Sequence, residues 1–436
     1  MTTTERRPAP DSPEAADAGV IEDARRRQRR HRLGGAALVA GALALAGAAI
    51  GSAGGGHGPA ARPGVGARPA APIAGLRNGV RATTSPAGGV DQLGLLAPGV
   101  GWVDSGQATY FTRDGGRSWT RVKAIGPSAL LSGASSPGPG QVVFSLADGA
   151  QAAHSCGHGC MTATTVGVGT SPAQRGQLVL TRDAGRSWSA RAFPAGAIPS
   201  AISFPNSHDG FVIAYRPSAH HNTAPSLSAT RDGGREWSRV TRPPFQGLLS
   251  FANARDGLGG GWALGAGPVD SAAVYRTSDG GRTWRRTPLC RPATVYACEA
   301  PRLFASGHGV VLVSAQDPQV GGSQVAVYTT RNDGRSWTRH VLPDTPTLTN
   351  ARNWVPFSAP NANDLFALVG TYLYSSSDGG ARWSRRHEPA LVPFAMAGLP
   401  GTLVFASAAY GWYGAGPVFA YTTDGGRRWT SMAAKR

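Results

Sequence analysis

The sequence predicts an all-β fold, a seven-bladed β-propeller preceded by an N-terminal transmembrane helix and disordered segments. Three observations carry this. An octet of the form Ser/Thr-x-Asp-x-Gly-x-x-Trp occurs seven times, at Thr112–Trp119, Thr181–Trp188, Thr230–Trp237, Thr277–Trp284, Thr330–Trp337, Ser376–Trp383 and Thr422–Trp429. The repeats follow one another roughly every 50 residues, a period that belongs to propellers and solenoids. Short apolar runs separated by turn residues fill the intervals, as in Ser200–Phe204, Phe211–Tyr215 and Ser226–Arg231 before the third octet and Trp237–Thr241 after it. Four antiparallel strands per repeat make one blade, and this decides for the propeller.

Residues 1–32 are Pro, Ala and charge, ending in Arg25-Arg26-Arg27-Gln28-Arg29-Arg30-His31-Arg32. They form a disordered basic segment with no periodic apolar face. Residues 33–53 are an uncharged run of Ala, Gly, Leu, Val and Ile. A basic flank before about 20 apolar residues keeps the N-terminus in the cytoplasm and sends the rest outside. The expectation is a single-pass membrane anchor. The alternative is a cleaved export signal with Gly51-Ser52-Ala53 as its small-residue site, giving a secreted protein. Residues 54–89 are Gly, Pro, Ala and Arg without strand alternation, a flexible linker. The propeller occupies residues 90–436.

Within each octet the hydroxyl and the carboxylate two residues on can take up the backbone N–H groups of a tight turn. The Gly supplies a positive φ, and the Trp opens the returning strand with a large apolar surface. Asp114, Asp183, Asp232, Asp279, Asn332, Asp378 and Asp424, with Trp119, Trp188, Trp237, Trp284, Trp337, Trp383 and Trp429, are therefore read as structural. Chemistry is rarely repeated seven times along one chain.

In antiparallel blades the first-to-second and third-to-fourth turns share one face. All seven octets fall there, with the short turns at Asp209, Asp256 and Asp364. The opposite face collects the irregular segments: 147–176, 217–225, 265–271, 289–300 and 317–323. Variable loops on a regular scaffold are where binding usually lives. The formal net charge of +18 rests on Arg, since Lys occurs only at 123 and 435. The octet face should be a positive, solvated rim, with attraction to anionic lipid or wall polymer as its functional alternative. No basic helix or aromatic-basic interleaving points to nucleic acid.

The four cysteines form two local pairs, Cys156 with Cys160 and Cys290 with Cys298. In an exported chain such pairs are expected as disulfides that clip their loops. His154, His158 and the pair His220-His221 offer metal-ligand types, but the spacing matches no established zinc knuckle, so no metal and no cofactor is expected.

The octet resembles the Asp box, or bacterial neuraminidase repeat. That resemblance raises an exo-acting, sialidase-like glycoside hydrolase. Those enzymes have six blades and an Arg-Ile/Leu-Pro motif, and the motif is absent here. Tyr296, Glu299, Arg302 and Arg352 are the residues such a site would draw on. A general glycosidase would need two facing carboxylates, from among Asp104, Asp148, Asp270, Asp317, Asp344 and Glu299. The phrases Ala409-Tyr410-Gly411-Trp412-Tyr413-Gly414 and Gly260-Gly261-Trp262-Ala263-Leu264-Gly265, each leading into a box, look more like the non-enzymatic photosystem II assembly-factor type of propeller. That resemblance implies a binding and assembly platform, and the protein is expected as a monomer. The expected partner is a protein or a cell-wall glycan, held on the irregular face by Arg302, Arg352 and Trp354 near the channel mouth and by Tyr296, His220 and His221 around it.

Overall fold

A computed structural model describes residues 89–106, 108–126, 129–148, 175–193, 197–215, 225–263, 273–287, 289, 295–298, 301–317, 322–346, 355–388, 391, 401–416 and 418–432. They form seven antiparallel sheets, spanning residues 92–121, 129–192, 198–241, 245–287, 295–341, 357–387 and 402–431. Six sheets have four strands in chain order, and the fifth has a split first strand. The chain is a seven-bladed propeller.

The first strands of neighbouring blades touch at the seams two–three, three–four, four–five, six–seven and seven–one, which places them around the axis. The fourth strands are short and exposed, as in Ser189–Ala192, Arg285–Thr287 and Ser384–His387. Each is an open sheet edge, and its arginines discourage pairing with another chain.

Seven apolar clusters lie among the described residues, and each joins two neighbouring blades. The core is thus a ring of seams. Every box tryptophan packs into the seam with the preceding blade: Trp188 against Phe111 of blade one, and Trp119 against Trp412 and Phe419 of blade seven, at ring separations of 5.5, 6.0 and 5.8 Å. Aromatic rings at these distances add to the gain from burial.

Among the described residues no blade borrows a strand from the far end of the chain. The ring closes through the cluster around Val90, Leu93, Trp412 and Phe419, joined by Trp119 and Met432. Val90 and Gly416 also exchange two backbone hydrogen bonds, at 2.6 and 3.1 Å.

Parts of three segments expected as loop are strand, the first being the ends of 147–176, where Ala147 and Asp148 pair with Gly176 and Arg175. Val295–Cys298, carrying Tyr296 and Cys298, is the outer-axis half of the split first strand of blade five and pairs with the strand Gly309–Asp317. That partner is long enough to offer ladder positions beyond Arg302 and Leu303, and a β-branched and aromatic sequence fills them. Likewise Asp317 and Gly322 form a rung of the next ladder rather than loop. Among the described residues no helix is long and apolar enough to cross a membrane, and residues 33–53 lie outside them.

Candidate functional site

The boxes repeat one geometry. In the first, Thr112 Oγ1 donates to Asp114 Oδ1 at 2.8 Å and accepts the Gly116 N–H at 2.9 Å, while Ser118 N donates to Asp114 Oδ1 at 2.9 Å. Asn332 keeps the arrangement as an amide: Oδ1 accepts from Thr330 and Ser336 N, and Nδ2 donates to Ser336 Oγ. In every blade the fourth box residue donates its N–H to the turn joining the first two strands, as Gly115 does to Gly99 and Asp333 to Gly307. That bond ties both turns of a blade into one rigid rim. For Asp183 the hydroxyl and N–H of Ser187 and the hydroxyl of Thr181 hold the carboxyl well below its usual range. For Asp279 partial burial works the other way, but the bonds from Thr283 and Thr277 outweigh it and leave the carboxyl at about 2. Each of these carboxylates is engaged within its own turn.

Around the axis a second repeating device appears that the sequence did not announce. Ser135, Ser203, Ser250 and Ser358 occupy the same ladder position on their first strands, opposite Val143, Phe211, Leu258 and Phe366. Each hydroxyl accepts a backbone N–H from the next blade: Phe204, Phe251, Leu303 and Phe405 donate at 2.8, 2.9, 2.9 and 2.8 Å. The same register puts Gly94, Arg302 and Val404 at this position in blades one, five and seven.

Arg302 is the exception with chemistry. Arginine accepts no hydrogen bond, so the seam from blade five to blade six lacks the serine link. Its side chain is exposed, with the guanidinium 5.4 Å from the Phe304 ring centre. Surrounding protein nonetheless lowers its pKa from the usual arginine value by desolvation. Exposure and crowding are both met by a side chain on the wall of a wet central channel. Arg302 lies one residue before the turn at Leu303–His308 that receives the Asp333 N–H, so it stands at the box-face end of the channel. It does not stand at the mouth on the irregular face, where it was expected. The split strand is the reason: residues 295–298 take up the irregular-face half.

Of the other expected binding residues, Tyr296 is described only as strand backbone, and His220, His221, Arg352 and Trp354 lie outside the described residues. So do Cys156, Cys160, Cys290, Asp270 and Glu299, while Cys298, Asp148 and Asp317 are described in backbone alone. Among the described residues no group of three or more His, Cys, Asp or Glu is placed to hold a metal.

One carboxylate has an unusual environment. Asp104 is 8% exposed, accepts from Thr109 Oγ1 at 2.8 Å and from Gly106 N at 3.2 Å, and is pushed up to about 6 by burial and, to a smaller extent, by the charge of Asp91. Asp344 is a turn residue at φ 46, and its carbonyl accepts from Tyr374 and Arg385.

No protein-family model matches this sequence, and no curated protein does. Solved structures do. The chain is similar to the GH74 xyloglucanase from Xanthomonas campestris, with a TM-score of 0.51 and 12% identity over 79% of this chain and 53% of that one. It is similar to YCF48 from Cyanidioschyzon merolae, with a TM-score of 0.48 and 14% identity over 78% and 97% of the two chains. It is also similar to YCF48 bound to D1 peptide, at 0.44 and 15% over 77% and 91%. The xyloglucanase likeness shows the fold, a β-propeller, and this chain spans about half the length of that enzyme.

Proposed function

We propose that this protein is a non-catalytic binding platform that captures a protein or a cell-wall glycan through the central channel, with Arg302 as the contact residue. One observation carries the reading: Arg302 replaces a serine that four other blades use to bond their neighbours, and it holds a cation in solvent instead. A residue that forgoes a structural bond to present a charge is the usual mark of function over stability. Residues 33–53 tether the propeller outside the cytoplasm, and Cys156–Cys160 and Cys290–Cys298 close as disulfides. The expected contributors on the irregular side remain Arg352, Trp354, Tyr296, His220 and His221.

The test is Arg302→Ser in the full chain. The serine restores the hydroxyl that other blades carry, with Ala359 N as the donor the register sets opposite it, and stability rises by about 1 kcal/mol. Capture of the partner from intact cells is lost. Unchanged capture by a well-folded Arg302→Ser protein rejects the reading.

A glycoside hydrolase reading draws on Asp104, a buried carboxyl raised to about 6 beside Asp91, the range of a general acid. Release of sugar from sialosides or wall glycans, abolished by Asp104→Asn, would favour it over the platform.

A further inference from the structure

We infer that the seam between blades two and three carries an anion site on the box face, built by Arg182, Arg191 and Arg235 and suited to a phosphate ester. Arg182 is the second residue of its box, Arg191 lies on the outer strand of the same blade, and Arg235 belongs to the next box. Arg182 Nη2 donates to the Ser207 carbonyl at 3.2 Å, and Arg191 Nη1 donates to the Gly233 carbonyl. These bonds draw both guanidinium groups over Gly233, whose missing Cβ would lie 2.6 Å from Arg182 Nη2 and 3.5 Å from Arg191 Nη1. Desolvation, then the charges of Arg182 and Arg235, lower the pKa of Arg191 against a smaller opposing pull from Asp232, so like charges outweigh the acid here. Beside them is a shallow, narrow cleft lined by Gln141, Thr181, Phe204 and Ser207.

The next seam shows what is missing. There Arg231, the counterpart of Arg182, pairs with Asp209 at 2.8 Å and reaches toward the Ala254 carbonyl. Asp209 directly precedes the second strand of blade three. The ladder places Gln141 at that position in blade two, since Gly210 and Val142 lie opposite Thr230 and Thr181. A neutral amide therefore stands where the neighbouring blade has its counter-ion. Gln141 Oε1 is buried with no hydrogen-bond partner among the described residues. The nearby acids do not fill the gap. Asp232 accepts from Thr230 Oγ1, Arg235 N and Glu236 N, Asp183 is held in its own turn, and Glu236 is exposed beside Arg235.

Each guanidinium spends one donor on a carbonyl and keeps others, in a planar fork that fits a phosphate oxygen pair. The amide of Gln141 can take the hydroxyl that adjoins the phosphate in a polyol or sugar ester. The ligand class is thus a polyol phosphate, alone or as a unit of a polymer.

The experiment is equilibrium binding of glycerol 3-phosphate and of polyphosphate to the full chain at low salt. Arg182→Gln with Arg191→Gln lowers affinity for both by tenfold or more. Gln141→Asp removes no arginine and supplies the counter-ion seen at Asp209, and it lowers affinity about as much. Arg285→Gln with Arg286→Gln, on the outer strand of blade four, removes the same charge and leaves affinity within twofold. Equal weakening by the blade-four pair, wild-type affinity in Gln141→Asp, or no binding of either probe overturns the assignment. Thermal melting of each variant separates loss of binding from loss of fold.

Discussion

Ser203 on the first strand of blade three accepts the backbone N–H of Phe251 on the first strand of blade four, at 2.9 Å and out of contact with solvent. This bond crosses a seam that is otherwise apolar, between Phe211, Leu227 and Ile213 on one side and Phe245 and Phe251 on the other. Ser203→Ala leaves a buried donor without a partner. The expected loss is about 1–3 kcal/mol, read as a lower urea midpoint with an unchanged slope.

Two boxes carry a strained fourth residue. Ala184 and Asp333 adopt φ 56 and φ 58, where the other five boxes have Gly. A Cβ in this region costs on the order of 1 kcal/mol, offset in part by the greater freedom of Gly in the unfolded chain. Ala184→Gly should raise the melting temperature. Asp333→Gly should raise it less, because Asp tolerates the left-handed region better than Ala.

Acid should loosen the rim in a defined window. Six box carboxylates titrate below their ordinary value, so the native state binds fewer protons than the unfolded one there. Their contribution is complete above the unfolded pKa of about 3.9 and fades as pH falls through the folded values. Melting temperature against pH should therefore turn down below about pH 4. The fifth box, built on Asn332, takes no part, and Asn332→Asp should deepen the acid sensitivity.

Asp104 has the opposite sign. Its folded pKa of about 6 lies above the ordinary carboxylate value of 3.8, so the native state holds the proton more tightly. Stability falls as pH rises from about 4 through 6 and is level beyond. Asp104→Asn removes that cost, and it should stabilise the protein at pH 8 by up to about 2–3 kcal/mol and have little effect at pH 4. Paired melting curves at the two pH values check it.

The octets were legible because every residue in them answers a local need of one turn, and local needs leave local patterns. Trp119 and its equivalents were read as strand openers, but only the assembled ring shows that each reaches backward into the preceding blade. The serine links were invisible for a different reason. A Ser on a strand alternates like any polar residue, and its partner lies about 50 residues away with no sequence mark of its own. The same blindness misplaced Arg302. Glu299-Ala300-Pro301 reads as a loop end and sets Arg302 at the mouth, whereas the strand begins at Val295. Gln141 gave no signal until the ladder aligned it with Asp209.

Each sheet is woven from one uninterrupted stretch, so the circle has no privileged beginning. A chain cut between two blades, with Met432 spliced to Gly89 by a short connector, would keep every ladder and lose only an inter-blade connection. Duplication or deletion of a single blade is likewise one event in the gene. The weld at Val90 and Gly416 then becomes the place where a ring of different size would first show its misfit.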